Sequence, residues 1–144
     1  MEKQSSLVKE LAQLNPLIGK WTIKGSFKNN PDKHVEGWEV YKVIDEGSTL
    51  LCEWETITIW PKDKDVYKNS MDIVYDKEEA KIIGSGEWVF SFNKGVLIIE
   101  NRNMRFTGTI NASNDTITGK WEVKDKSGKW NYWYDKTLTK IVTV

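Results

Sequence analysis

Between positions 19 and 28, apolar and polar residues alternate one for one. Trp21, Ile23, Gly25 and Phe27 fall on one side, and Lys20, Thr22, Lys24, Ser26 and Lys28 on the other. A period of two belongs to an extended strand, whose successive side chains leave opposite faces, so this segment predicts a strand with one dry and one wet face. The pattern recurs along the chain. After the turn residues Asn29-Asn30-Pro31-Asp32-Lys33, a second strand is predicted over 35–44, and Asp45-Glu46-Gly47-Ser48 ends it. Segment 50–60 is long, β-branched and aromatic, and stops at Pro61, which has no ladder donor. A solvated loop is predicted over 62–65 and a short strand over 70–75.

Within 80–92 the Gly84-Ser85-Gly86 run predicts one kinked strand or two short ones, and Asn93-Lys94-Gly95 predicts a hairpin into 96–99. Register over 81–103 stays open. Met104, Phe106, Gly108 and Ile110 share a side, as do Ile117, Gly119, Trp121 and Val123. Ser127-Gly128 then turns the chain into Trp130, Tyr132 and Tyr134, which the alternation puts on one face. Ahead of all this, Leu7, Leu11 and Leu14 recur at helical spacing, predicting a helix over 5–14 with Ser5 or Ser6 as N-cap and Pro16 as the stop. About nine strands joined by short turns predict an all-β, antiparallel up-and-down barrel, which removes its unpaired edges by closing on itself. One domain is expected over 1–144, with the barrel over 19–141.

Composition narrows the partners. Twenty-one Lys and Arg balance twenty-one Asp and Glu, so no net field draws the chain to phosphates, and nucleic acid is not expected. No segment approaches the ~20 apolar residues of a membrane helix, and the first residues lack a secretory apolar stretch, so a cytoplasmic protein is expected. The single cysteine, Cys52, has no second thiol for a disulfide or zinc pattern. Eight tryptophans in 144 residues suit the inside of a closed sheet.

Gly19-Lys20-Trp21 follows the helix and Pro16-Leu17-Ile18, and the same tripeptide spacing returns at Gly119-Lys120-Trp121 and Gly128-Lys129-Trp130. With Arg105-Phe106-Thr107-Gly108 and the run from Asp115 to Glu122, these motifs resemble the lipocalin-like, or calycin, barrels, and are similar to an uncharacterised lipocalin-like domain family found mostly in bacteria. The resemblance implies that Trp21 plugs the closed end. It also implies a basic residue packed over that indole, a role open to Lys136 or Lys140 where an arginine is usual. Fatty-acid-binding calycins carry a helical lid after the first strand, for which 29–33 is too short. Haem-binding calycins need an axial histidine, and His34, the only one, falls in an expected loop. No cofactor is therefore expected.

Arg102 and Arg105 are the only arginines, and a planar bidentate donor suits a carboxylate or phosphate, so Arg105 is the candidate anchor for an acidic ligand group. A surface salt bridge with Glu100 or Glu122 is its plainer role. Glu53 and Glu55 share a face and are the candidate carboxylate pair for acid–base chemistry, although no nucleophile, metal or oxyanion motif accompanies them. Asp32 with His34 does not complete a zinc site, and Cys52 reads as a small apolar filler. The expected function is binding of a small hydrophobic or amphipathic molecule inside the barrel, with Trp54, Trp88, Phe90, Arg105, Trp121 and Tyr132 as the ligand-binding set. One alternative is a small barrel isomerase, cyclase or hydrolase using a cavity carboxylate. Another is a self-associating domain, a homodimer meeting through Ile57 and Ile59 or Ile98 and Ile99.

Overall fold

The computed structural model describes residues 6–141. A 3-10 helix, Lys9–Leu17, leads into strands β1 (Gly19–Ser26), β2 (His34–Ile44), β3 (Thr49–Trp60), β4 (Asp63–Asp76), β5 (Lys81–Gly84), β6 (Trp88–Asn93), β7 (Val96–Glu100), β8 (Met104–Ile110), β9 (Thr116–Lys124) and β10 (Trp130–Lys140). Each strand pairs antiparallel with its neighbours in sequence, and β1 pairs with β10, so the sheet closes into a barrel.

The helix departs from the predicted one in type and extent. Leu11, Leu14 and Leu17 are wholly buried at a spacing of three, the period of a 3-10 helix, and the helix runs through Pro16 instead of stopping there. Val8 precedes it with no side-chain cap, Ser6 lies ahead of the helix, and the Ser5 cap falls outside the described residues. This helix floors the barrel. The Trp21 indole, fully buried, donates from Nε1 to the Leu17 carbonyl at 2.8 Å. Lys140, not Lys136, stands over that indole at 4.9 Å from the ring centre and donates to the Pro16 carbonyl at 3.0 Å.

One other boundary differs from expectation. The predicted 62–65 loop is mostly strand: Trp60 pairs with Asp63, so the turn shrinks to Pro61-Lys62 and β4 starts at once. The first eight residues of β4 are exposed on both faces, which left no hydrophobic alternation to read. Around Gly84-Ser85-Gly86 two short strands form, joined through Gly86 and Glu87, both at positive φ.

Strand lengths tilt the open end. β2, β3, β4 and β10 run 11, 12, 14 and 11 residues, whereas β5, β6 and β7 run 4, 6 and 5. β5 pairs with β4 only over 73–76. Above the helix floor, the barrel therefore has a tall β2–β4 wall that drops, beside it, to a low β5–β7 wall.

Candidate ligand-binding site

Inside the barrel lies a cavity of about 670 Å³, within the ~300–1,000 Å³ range of small-molecule sites. Aromatic side chains from five strands line it: Trp54 from β3, Trp88 and Phe90 from β6, Phe106 from β8, Trp121 from β9 and Tyr134 from β10. Trp121 is the hub. Its ring lies 5.9 Å from Trp88 in an edge-to-face arrangement and 5.4 Å from Phe106, within the spacing at which aromatic pairs attract beyond simple burial. Tyr67 and Trp133, both exposed and both lining the cavity, mark its mouth.

The cavity also contains a polar cluster. Val35, Gly37, Glu39 and Tyr41 follow the inward alternation of β2, and Tyr134, Lys136 and Leu138 that of β10. One acid and one base thus enter an apolar interior, at 6 % and 8 % exposure. They meet: Lys136 Nζ donates to Glu39 Oε2 at 3.3 Å, and the Tyr41 hydroxyl donates to Glu39 Oε1 at 2.9 Å. The ammonium also stands 5.4 Å from the Phe106 ring and 5.8 Å from the Trp121 ring. Burial opposes the charge on Lys136, but the attraction of Glu39, with help from Tyr134, outweighs it and leaves the ammonium harder to deprotonate than usual. Burial, with Cys52 and Glu39 nearby, pushes the Tyr41 hydroxyl well above its ordinary value. Burial and the same carboxylate push the Cys52 thiol far up, so it lines the wall as an unreactive filler. Lys136, Tyr41 and Cys52 all hold their protons at neutral pH. The cluster presents a hydrogen-bonded pair of opposite charges to the cavity.

Of the predicted ligand-binding residues, Trp54, Trp88, Phe90 and Trp121 line the cavity together. Arg105 and Tyr132 do not, and both placements are corrections. Arg105 alternates with the inward Met104 and Phe106 and so faces out. There it holds Glu122 Oε1 through Nε at 3.2 Å and Nη2 at 3.0 Å and stacks 4.4 Å over the Trp130 ring. Its plainer role is the one the geometry gives. Tyr132 is turned by a bulge: Tyr132 pairs with Glu122 while Tyr134 pairs with Trp121, so Trp133 is an extra residue that moves Tyr132 to the outer face. Its hydroxyl there donates to Asp135 at 3.1 Å and accepts from the Lys28 amide at 3.2 Å.

The candidate carboxylate pair is also outside. Glu53 holds Lys42 at 3.0 Å and Glu55 accepts from the Trp38 indole at 3.0 Å. His34 is on the exposed rim beside Glu36 at 3.6 Å. Ile99 lines the cavity, so it is not available with Ile98 as one outer face. Sequence reasoning missed Glu39, Tyr41 and Lys136 as a group: alternation carries Lys136 onto the face of Tyr134, but both faces of β2 mix charged and apolar residues and do not show which is inward.

No family model matches the chain, and no curated protein matches it by sequence. Solved structures do match in shape. An S-type phycobiliprotein lyase, CPES from Guillardia theta, superposes with a TM-score of 0.61 at 14 % identity, over 91 % of this chain and 92 % of that one. Rv2717c from M. tuberculosis superposes with a TM-score of 0.54 at 10 % identity, over 95 % of this chain and 100 % of that one. The protein has the lipocalin-like, calycin fold: an antiparallel up-and-down barrel with one short N-terminal helix. Among the described residues no helix is long and apolar enough to cross a membrane.

Proposed function

We propose that the protein is a carrier or receptor that holds one small, mostly apolar molecule inside the barrel. The observation that supports this most is the cavity of about 670 Å³ walled by Trp54, Trp88, Phe90, Phe106 and Trp121. A domain whose only task was to be stable would gain by filling that space, because an unfilled volume forfeits the dispersion contacts of its lining. Flat aromatic walls suit a planar or ring-containing guest. The floor is sealed by the helix and Trp21, so the guest enters over the low β5–β6 side, where Ser85 and Gly86 border the cavity.

The test uses N-phenyl-1-naphthylamine, an uncharged dye that brightens in apolar surroundings. Saturable enhancement with one site per chain is expected. Thr56→Trp, which puts an indole into the cavity from β3, should keep the barrel's circular dichroism and abolish the enhancement. No saturable enhancement with the native protein, or equal enhancement with the filled variant, would remove the carrier role.

A further inference from the structure

We propose that the cavity selects an uncharged guest, an aromatic molecule carrying one hydrogen-bond acceptor such as a carbonyl oxygen, which meets the Lys136 ammonium. This deepens the carrier role proposed above and rests on it. Among the residues lining the cavity, Glu39 and Lys136 are the only ones of acidic or basic type, and they are paired with each other at 3.3 Å. The interior is therefore electrically balanced before any guest arrives. A guest carboxylate drawn to Lys136 would be desolvated beside the Glu39 carboxylate. A guest ammonium drawn to Glu39 would be desolvated beside Lys136. Burying an uncompensated charge is the costliest step open to such a site.

A neutral guest can still be held by a hydrogen bond to the pair. Both oxygens of Glu39 already hold a donor, Oε1 from Tyr41 and Oε2 from Lys136. An ammonium has three N–H donors and no acceptor. Lys136 gives one to Glu39, and its other close neighbours are the faces of Phe106 and Trp121. An acceptor on the guest can therefore take a charge-assisted bond from an N–H that no protein oxygen holds.

Four guests on one ring system separate the possibilities by displacement of N-phenyl-1-naphthylamine at neutral pH: 2-acetylnaphthalene, naphthalene, 2-naphthoate and 2-naphthylmethylammonium. The native protein should bind the ketone at least tenfold more tightly than either ion and more tightly than naphthalene. Glu39→Gln leaves Lys136 uncompensated and should shift the ratio at least tenfold toward 2-naphthoate. Because that variant strains the fold, Glu39→Met with Lys136→Met supplies a second measurement. It leaves the cavity without a charged side chain, and the ketone should lose its advantage over naphthalene. Equal or tighter binding of 2-naphthoate by the native protein, or an unchanged ratio in folded Glu39→Gln, overturns the proposal. If the dye binds but the four guests do not differ, charge selection fails while the carrier role stands; if the dye does not bind, both fail.

Discussion

Glu39, Lys136 and Tyr41 form a unit whose members depend on one another. Removing one partner of a buried ion pair typically costs about 3–5 kcal/mol, because the other charge stays in place without compensation. Glu39→Ala, which strands both the Lys136 ammonium and the Tyr41 hydroxyl, is expected to fall in that range in urea unfolding. The Met/Met double variant should cost less, since replacing the whole pair with apolar groups of similar size is often near neutral. A Glu39→Ala loss below about 1 kcal/mol, the range of exposed pairs, would mean that water reaches the pair.

The pH dependence of the same unit follows from proton linkage. Lys136 and Tyr41 both hold their protons more tightly folded than at their ordinary values of 10.5 and 10.0. A raised native pKa contributes stability that is complete below the unfolded value and is lost as pH rises through the native one. Melting temperature should therefore be insensitive to these two groups up to about pH 10 and fall above it. Tyr41→Phe should flatten part of that fall. The cluster had only half a signal in the sequence. Alternation puts Lys136 on the face of Tyr134 and Leu138, whereas both faces of β2 mix charged and apolar residues and leave Glu39 unplaced. What also hid the pair was the distance along the chain, 97 residues, with nothing local to tie the two together.

Glycines, a bulge and a floor decide how the elements fit. Gly108 and Gly119 face each other across β8 and β9, and a Cβ at Gly119 would run into the Thr107 carbonyl and sit 2.6 Å from the Gly108 Cα. Gly119→Ala is expected to destabilise the barrel by about 1–3 kcal/mol, the usual range for overpacking, measured by urea titration. At the floor, Lys140 joins β10 to the helix through the Pro16 carbonyl and the Trp21 ring. Lys140→Met should cost about 1–2 kcal/mol, a charge-assisted hydrogen bond with a cation–π contact, and should shift Trp21 fluorescence. Most strands were legible because one wet and one dry face impose a period of two. The bulge at Trp133 was not. Its neighbours Trp130, Tyr132, Trp133 and Tyr134 are nearly all aromatic, so no change from polar to apolar marks where the alternation slips. That slip is also why Tyr132 was expected inside the barrel.

For the molecule as a whole, closure was legible and capacity was not. Closure follows from a run of short-turn antiparallel strands that leaves no edge exposed, and the structure pairs β1 with β10. Capacity depends on how far each strand rises. The exposed start of β4 and the four-residue β5 set the wall heights, and neither shows in a hydrophobic pattern. The aromatic residues line a space, with the rings of β6, β8 and β9 standing around the volume. Arg105 shows the opposite limit of pattern reading. Its residue type suggested an anchor, while its parity next to Met104 and Phe106 already placed it outside.

Crystals soaked with 6-bromo-2-acetylnaphthalene would test the central claim most directly, by the position of the anomalous bromine signal. One peak is expected within the barrel among Trp54, Trp88 and Trp121, with the ketone oxygen within hydrogen-bonding distance of Lys136 Nζ. Bromine found only on the outer surface, with the interior unchanged, would contradict a ligand-holding barrel.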